Sequence, residues 1–411
     1  MMPGMGTFSR AARSALVVAA AGLLAAACGG SAAPPASGGG GTSASGGGAP
    51  QVPTANLPVL QKIGQGEGTL NLIAWEGYLE PLWVKPFEQQ SGCQVHATYA
   101  GTSDQMVTLM KNGGNGQYDM VSSSGDADLR IIYAGDAHPV NMALIPEVKD
   151  FFPAFQGPAF NTVNGVHYGV SLQWGPNVLM YSKKAFTSAP TSWSVLYDPK
   201  YKGQVTVPDN PIQIADAALY LKTHDPSLKI TDPYELTQDQ FDAAVNLLKK
   251  QRQQIGNYWG SFTSQIQDFK AGSIVIGPTW PYQYNALVAD KQDMGVVLPK
   301  EGATGWADTW MLSSKAAHPN CMLKWMAYAT TPPVQAKTAY TFGSAPANPQ
   351  ACSILDKEVA NYCTDYHVTD PAYFKSIAYW KTPLTDCGDD RGSTCIPYSE
   401  WTSAWTEIKN S

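Results

Sequence analysis

Apolar and polar positions switch between strand spacing and helix spacing along residues 69–121. Residues 69–75 alternate as a short strand, and residues 93–99 and 116–121 have the same character. Between these strands, over 81–91 and 103–112, apolar residues recur three and four positions apart, as in a helix. Strand and helix therefore follow one another, which predicts an α/β sheet with helical crossovers.

The pattern becomes less regular after residue 165. Glycine and proline interrupt two extended pieces over 165–181, which indicates a crossing of the chain between two lobes. The elements predicted beyond it are strands at 204–207, 272–277 and 294–299, a helix that begins at the capping-box residues Thr237 and Gln240, and a helix over 321–329.

Polar and aromatic side chains stand where the predicted strands end. Trp75, Glu76 and Tyr78 come at the end of the first strand, and Ser124 and Asp126 follow the third. Ligands of open α/β sheets bind at the carboxyl ends of the strands. The sequence therefore predicts that these five residues face one cleft, although loop carboxylates are often only solvated.

Trp306 and Asp308 form the most informative pair. Two residues apart on an extended segment, they share one face, and an indole face and a carboxylate both attract a cation. We expect them to bind an organic amine. The alternative is a core tryptophan beside a surface acid. Trp280, set between Pro278 and Pro281, is predicted as a second aromatic wall.

Composition limits the class of protein. A chain of 411 residues that is 44% hydrophobic can bury a large core, and this length predicts two domains. The net charge is −6, without a basic stripe, so nucleic acid is not an expected partner. Twelve Trp and twenty Tyr residues are many. They can simply fill a core, but in exported proteins such residues also commonly line ligand clefts.

The amino terminus has the features of an export signal. Arg10 and Arg13 precede an apolar run from 15 to 27, and small residues lead to Cys28. Leu24 to Cys28 resembles a bacterial lipoprotein lipobox, with the leucine one place further from the cysteine than usual. We expect a signal peptide over 1–27, a lipid on Cys28 and a flexible Gly/Ser/Pro-rich tether over 28–68. Secretion without a lipid is the alternative.

Six cysteines remain beyond Cys28, which suits an oxidising compartment. Six cysteines allow fifteen connectivities, and the sequence does not choose among them. Short spacing favours the local pairs Cys352 with Cys363 and Cys387 with Cys395, which would leave Cys93 with Cys321.

Several stretches together resemble the spermidine/putrescine-binding proteins of bacterial ABC transporters, within the type II solute-binding superfamily. The matching stretches are Ala74-Trp75-x-x-Tyr78, Gly116-x-Tyr118-Asp119-x-Val121, Ser192-Trp193-x-x-Leu196 with Tyr201-Lys202-Gly203, and Pro299-Lys300-Glu301-Gly302 with Trp306-x-Asp308. They span about residues 68–329. The resemblance implies the two-lobed α/β fold of type II periplasmic-binding proteins, with a ligand in the cleft between the lobes.

The resemblance also implies a set of ligand-binding residues, in which rings enclose methylene groups and acids meet ammonium groups. Carried over position by position, the set is Trp75, Glu76, Tyr78, Ser124, Asp126, Asp209 (or Asn210), Gln213, Trp280, Trp306, Asp308 and Lys381. Three positions depart from the family pattern. Gln213 stands where Glu is typical, Lys381 where an amide is usual, and Asp126 where a tyrosine is found. These changes would suit a ligand with one cationic end and one anionic or neutral end.

The expectation is a monomeric extracellular substrate-binding component of an ABC importer that captures a small, polyamine-like amine. It would need no cofactor or metal, would be anchored outside the cytoplasmic membrane by its lipid, and would deliver its ligand to a membrane permease. Lobe 1 is predicted over 69–172 and 307–350, and lobe 2 over 173–306 and 351–411. The same fold could instead bind a zwitterionic amino-acid-like or quaternary amine, a sugar or ferric ion. A secreted glycosidase is the alternative outside this class.

Overall fold

The structure, a computed structural model, describes residues 51–411. The predicted signal peptide, Cys28 and the first part of the predicted tether lie outside these residues. The strands are β1 (Thr69–Ala74), β2 (Gln94–Tyr99), β3 (Met120–Ser124), β4 (Thr162–Val163), β5 (Val166–His167), β6 (Gly169–Pro176), β7 (Val178–Ser182), β8 (Val205–Pro208), β9 (Ile255–Trp259), β10 (Ile276–Thr279), β11 (Met294–Val297), β12 (Ala303–Leu312), β13 (Ala345–Pro346) and β14 (Ile377–Tyr379).

The α-helices are α1 (Pro81–Ser91), α2 (Ser103–Gly114), α3 (Gly125–Tyr133), α4 (Pro153–Gln156), α5 (Gln213–His224), α6 (Gln238–Gln251), α7 (Phe262–Ala271), α8 (Pro281–Ala289), α9 (Pro319–Ala329), α10 (Pro332–Phe342), α11 (Cys352–Glu358), α12 (Tyr362–Asp365), α13 (Pro371–Lys375) and α14 (Tyr398–Asn410). Short 3-10 turns lie at Met142–Leu144, Pro146–Asp150, Trp193–Tyr197, Pro199–Tyr201, Pro226–Leu228 and Pro349–Ala351.

Two large sheets organise the described chain, and β4 and β5 form a separate two-stranded sheet. The first has the strand order β13-β6-β12-β3-β1-β2, with β14 added beside β12. In it β1 runs parallel to β2 and β3, as the alternation of strands and helices predicts, whereas β12 runs antiparallel to β3 and β6. The second sheet has the order β11-β7-β10-β8-β9. This arrangement confirms the predicted α/β class with two lobes.

The chain crosses between the sheets next to Asn177, the residue that separates β6 from β7. Its backbone N–H donates to the Thr304 carbonyl at 2.8 Å, and its Nδ2 donates to Thr304 Oγ1 at 2.7 Å. Thr304 lies at the start of β12, which runs on into the first sheet. The predicted crossing over 165–181 is therefore confirmed, and adjacent segments join the two halves.

The carboxyl-terminal segment divides between the two sheets, which differs from its predicted placement as a whole in lobe 2. β14 pairs with β12, and Leu355, Tyr362 and Cys363 are buried in the core of the first sheet. The Tyr362 hydroxyl, which has one hydrogen to donate, lies 2.7 and 2.9 Å from the carbonyl oxygens of Ala339 and Ser344, which holds the segment against the end of α10. Further along the chain, α14 packs against α6 of the second half.

Residues 51–68 pack against the first sheet, whereas the sequence predicts a flexible tether up to residue 68. Thr54 is buried, and its Oγ1 donates to the Ala137 carbonyl at 2.7 Å. Gly64 N–H donates to Asn320 Oδ1 at 2.7 Å, and Glu67 accepts from the backbone N–H groups of Asn320 and Cys321 at 3.0 and 2.9 Å. These specific hydrogen bonds hold a segment whose composition alone suggests mobility.

In the part of the chain that the structure describes, three disulfides join Cys93 with Cys321, Cys352 with Cys363 and Cys387 with Cys395. This is the connectivity that the short spacings favour. The first links α9 to the start of β2 across 228 residues, and the other two close short loops.

Helix boundaries follow the sequence signals closely. Gly92 ends α1 with a φ of 73°, and Thr237 and Gln240 form the predicted capping box. The helix expected from Ser103 is capped one residue earlier, because the Thr102 side chain accepts from Gln105 N–H. Among residues 51–411, no helix has the length and apolar character needed to cross a membrane.

Candidate functional site

A cavity of about 220 Å³ lies between the two sheets. Its walls are mostly aromatic, with one buried carboxylate. The lining residues are Trp75, Glu76, Tyr78, Tyr99, Ala100, Gly101, Ser124, Ser261, Phe262, Trp280, Trp306, Asp308, Phe342 and Trp380.

Strand β12 places Trp306 and Asp308 on the cavity. Both point the same way because they are two residues apart on a strand. The strand pairing is irregular directly after Asp308, which is the type of irregularity that re-aims side chains next to binding sites. Trp306 is opposite Gly175 of β6. Any residue other than glycine at position 175 would place its Cβ atom 2.7 Å from the indole ring. Glycine at 175 thus gives the ring its space.

Asp308 is the charged centre of the cavity, and only 2% of its surface is exposed. Its Oδ1 accepts from Ser124 Oγ at 2.5 Å, and its Oδ2 accepts from the Tyr78 hydroxyl. Within residues 51–411, Asp308 forms no salt bridge. Burial, with a smaller contribution from the nearby charge of Asp126, raises the pKa of Asp308 to about 7, although the hydrogen bonds from the two hydroxyl groups lower it. A cation in the cavity would also lower it.

The aromatic walls come from both halves of the molecule. Trp75 follows β1 and Trp280 follows β10, and their ring centroids are 6.1 Å apart in an edge-to-face arrangement. Trp280 also meets Trp259 edge-to-face at 5.0 Å. Phe342 packs at 4.5 Å against Tyr78, the residue that donates to Asp308. Such contacts fix the rings before a ligand arrives.

The tryptophans present ring carbons to the cavity. The Nε1 atoms of Trp75, Trp280, Trp306 and Trp380 are buried and have no hydrogen-bond partner among residues 51–411. Because these nitrogen atoms are buried, the ring surface that faces the cavity consists of carbon atoms. Ring carbons suit methylene groups and, through the ring quadrupole, cations.

A narrow arm leaves the cavity beside Trp75 and Trp280. Its further walls include Asp209 and Asn210 after β8, and Trp259 at the end of β9. The arm shares Trp75, Gly101, Trp280 and Trp380 with the main cavity, so the two spaces adjoin.

Comparison with known proteins gives the family. The model of the bacterial extracellular solute-binding proteins matches residues 83–364, which is more than half of the chain. The chain belongs to this family. Its members are extracellular solute-binding proteins.

Individual relatives are distant in sequence and close in fold. The chain is 26% identical over 302 residues to the spermidine/putrescine-binding periplasmic protein of Escherichia coli (strain K12), covering 72% of this chain and 83% of that protein. It is 24% identical to the putrescine/cadaverine-binding protein of Pseudomonas aeruginosa, over 71% of this chain and 82% of that one. The crystal structure of the TpPotD lipoprotein of Treponema pallidum superposes with a TM-score of 0.67 at 16% identity, covering 84% of this chain and all of the other.

Seven of the predicted ligand-binding residues line the cavity together. They are Trp75, Glu76, Tyr78, Ser124, Trp280, Trp306 and Asp308. Residues that are far apart in the sequence, such as Trp75 and Asp308, therefore line the same cavity. Glu76 is exposed, and the other acid, Asp308, is buried. Their roles in ligand binding stay predictions.

The other four predicted residues do not line the main cavity. Asp126 is fully buried beside it, where its Oδ1 accepts from Ser103 Oγ at 2.9 Å. Asp209 lines the arm. Gln213 begins α5 and lines a separate small space, and Lys381 forms salt bridges with Asp232 and Glu235. The carried-over roles of Gln213 and Lys381 therefore have no geometric support, and neither does the zwitterionic ligand inferred from them.

Sequence reasoning missed several walls of the cavity. Trp380 is the largest of them, next to the predicted Lys381. Neighbours on an extended segment point to opposite sides, so Trp380 faces the cavity while Lys381 turns toward acids of the second half. Tyr99 at the end of β2 could have been found, since the end of β1 was already assigned to the cleft. Phe342 and Phe262 belong to helix termini without a distinctive motif.

Proposed function

We propose that this protein captures a small, polyamine-like organic amine outside the cell for an ABC importer. The ammonium group binds Asp308, and the tryptophans of the cavity cover the alkyl part of the ligand. The observation that carries the proposal is a buried carboxylate inside an aromatic cavity, with no cationic partner among residues 51–411. A buried charge is costly unless it is paired, and a bound ammonium supplies the missing partner.

The relatives support the choice of ligand. The names of the two sequence relatives state that they bind spermidine and putrescine, or putrescine and cadaverine. All three compounds are alkyl amines. The cavity has the two features that such a molecule needs, which are apolar walls and an anion.

Closure of the two halves over the ligand follows from the origin of the walls. Asp308 belongs to the first sheet and Trp280 follows a strand of the second, so a ligand that touches both favours the closed state. Contacts outside the cavity also join the halves. Asn285 on α8 donates to the Tyr366 hydroxyl at 2.8 Å, and Asn210 Nδ2 lies 3.4 Å from Asp126 Oδ2.

The remaining predictions complete the proposal. The protein would act without catalysis, as a monomer held by a lipid on Cys28, and would deliver its ligand to a membrane permease. Trp75, Glu76, Tyr78, Ser124, Trp280, Trp306 and Asp308 are proposed as the ligand-binding residues.

Two alternative ligands fit less well. A sugar needs many hydrogen-bonding partners, whereas the cavity walls are mostly ring carbons. Ferric ion would need clustered tyrosines. Tyr282 and Tyr284 are close in sequence, but Tyr284 lines a different cavity, together with Tyr181 and Lys183. A quaternary amine would use the same walls and the same carboxylate, so it is the second candidate.

A thermal-shift screen followed by calorimetry tests the proposal. Alkyl diamines and triamines, quaternary amines, ω-amino acids and sugars would be added to the mature protein. We expect amines to raise the melting temperature and to bind one per protein molecule. Stabilisation by sugars alone, or hydrolysis of oligosaccharides on incubation, would overturn the proposed ligand class.

A further inference from the structure

Gln173 is a buried amide beside the charged centre of the cavity, although it is not among the residues that line the cavity. It lies on β6 directly opposite Asp308 of β12, and Ser124 of β3 lies opposite Asp308 on the other side. Residues directly opposite on antiparallel strands point to the same face, with Cβ atoms about 5 Å apart. Asp308 is therefore flanked by a hydroxyl group on one strand and by an amide group on the other.

Ser344 sets the orientation of the Gln173 amide. Gln173 Oε1 accepts a hydrogen bond from Ser344 Oγ at 2.7 Å, and only 2% of Gln173 is exposed. Burial and the charge of Asp308 raise the pKa of the Tyr78 hydroxyl, whereas a hydrogen bond from Gln173 lowers it. Because Ser344 engages Oε1, the end of the amide that faces Tyr78 is Nε2, which has no other hydrogen-bond partner among residues 51–411. The amide thus presents an N–H donor to the Tyr78 oxygen.

The Tyr78 hydroxyl has a single hydrogen to donate. Its oxygen accepts from Gln173, and the hydrogen goes to Asp308 Oδ2. Nε2 is only a donor, so Gln173 cannot take that hydrogen in place of Asp308. From Ser344 through Gln173 and Tyr78, every hydrogen points toward the carboxylate. Hydrogen bonds arranged in such a chain polarise and strengthen one another.

We propose that Gln173 is a positioning residue, which directs the hydrogen of Tyr78 at Asp308 and so keeps this carboxylate ready for a ligand ammonium. An ionised carboxylate only accepts hydrogen bonds, whereas a protonated carboxyl group must also donate one. Donors that all point at Asp308 therefore favour its charged form. The inference rests on the proposed binding of an amine at Asp308, and it assigns a role to a residue outside the cavity wall.

The other titratable groups around Asp308 stay in place when the amide is replaced. Tyr78 and Asp126 act on Asp308 directly, Asp128 interacts with it as a second buried acid, and Glu76 lines the same cavity. The amide and its serine partner carry no charge. Replacing either one changes the hydrogen bonds that lead to Asp308, and a change in the titration of Asp308 can be assigned to them.

NMR titration of the ligand-free protein tests the proposal without a ligand. The aspartate carboxyl groups would carry carbon-13, and the signal that is missing in Asp308→Asn identifies Asp308. Gln173→Met removes the N–H donor and keeps a side chain of similar length. We expect this variant to raise the pKa of Asp308 by about 0.5 to 1, because the ionised form loses part of its hydrogen-bond support. An unchanged pKa would overturn the inference.

Calorimetry with butylamine tests the consequence for binding. An alkyl ammonium group keeps its proton up to pH 8.5, so only the protein titrates in this range. In Gln173→Met, butylamine affinity should fall about two- to fivefold at pH 7 and by less than about 1.5-fold at pH 8.5, where Asp308 is mostly ionised in either protein. An equal loss of affinity at both pH values is what a merely structural role would give, and it would contradict the positioning role.

Gln335 of α10 provides the matched control. It is also a buried glutamine, its Oε1 accepts from the backbone N–H of Asn348 at 2.7 Å, and its Nε2 has no partner in the described part of the chain. Gln335→Met should lower the melting temperature and leave the pKa of Asp308 unchanged. Ser344→Ala is a milder second variant, because it releases the amide without removing it, and it should raise the pKa of Asp308 by a smaller amount.

A double variant tests whether Gln173 acts through Tyr78. Tyr78→Phe removes the hydroxyl and keeps the ring, and in this background Gln173→Met should cause no further rise in the pKa of Asp308. Rises that add up in the double variant would overturn the proposed chain. If the pKa changes as expected but no amine binds the wild type at any pH, the proposed function is overturned and the positioning role of Gln173 is not.

Discussion

Two carboxylates with similar chemistry have different surroundings in this molecule. Asp308 lines the cavity, whereas Asp216 lies on α5, where Thr304 Oγ1 donates to its Oδ1. Burial raises the pKa of each to about 7. Asp216 as a residue is partly exposed, but its Oδ2 atom is buried. The space beside Asp216 measures about 20 Å³, which is less than a tenth of the cavity beside Asp308.

The comparison shows that a desolvated acid is not by itself a binding site. Both carboxylates are costly to ionise, and both accept a hydroxyl hydrogen bond. Only Asp308 has room for an ammonium group and its alkyl chain. Asp216 instead takes part in the network of Thr304 and Asn177 where the chain crosses between the sheets. Asp216 thus provides an internal control for every experiment on Asp308.

The largest expected effect comes from neutralising the two acids in turn. Asp308→Asn should weaken amine binding by about 2 to 5 kcal/mol, because a buried ammonium loses its charged partner. Asp216→Asn should leave the affinity nearly unchanged. Isothermal titration calorimetry measures both, and equal losses in the two variants would remove the distinction drawn between them.

Amine affinity should depend on pH through Asp308. The ligand binds the ionised carboxylate, whose pKa in the free protein is about 7. Affinity should therefore rise as pH increases through 7, and fall by about tenfold for each unit below it. Titrations from pH 5 to 8 provide the measurement, and the Asp216→Asn variant should retain the full dependence. A flat profile would show that Asp308 does not control binding.

Removing one aromatic wall should have a smaller effect. Trp280→Leu keeps an apolar surface but loses the indole quadrupole, so amine affinity should fall by about 1 to 2 kcal/mol. Trp193, which is buried in the second half away from the cavity, provides the control. Trp193→Leu should lower the melting temperature with little change in affinity, as measured by thermal denaturation and calorimetry. The reverse pattern would contradict the assignment of Trp280 to the ligand.

The last prediction concerns the stability of the ligand-free protein, where the two acids should behave alike. The folded-state pKa of each is raised above 3.8, so the folded protein holds more protons than the unfolded chain between pH 4 and 7. The free energy of unfolding should therefore decrease as pH rises through this range. Urea denaturation at several pH values should show a weaker decrease in both Asp308→Asn and Asp216→Asn. A steeper decrease in either variant would contradict the raised pKa of that acid.

The fold and the centre of the site could be predicted from sequence because their signals are local. Alternation gives the strands, and the spacing of Trp306 and Asp308 places both on one face. The position of Trp280 after a strand end was also readable. These signals indicate which way a side chain points from its own helix or strand. They do not indicate which distant helices or strands it will contact.

Tertiary contacts decide the parts that sequence missed. Lys381 lies on the same extended segment as Trp380, but its side chain points to the opposite side. There it forms salt bridges with Asp232 and Glu235. Residues 51–68 have the composition of a linker, but Asn320 and Ala137 provide partners for their polar groups. The pairing of Asp209 with Lys409 joins residues 200 positions apart, which spacing in sequence cannot indicate.

The most direct test of amine capture is a crystal structure of the protein with the tightest-binding amine from the screen. The account predicts electron density for the ligand between the two sheets, with an ammonium nitrogen within hydrogen-bonding distance of Asp308 and the alkyl chain against Trp75, Trp280 and Trp306. A ligand bound elsewhere, or one that places an uncharged group on Asp308, would contradict it.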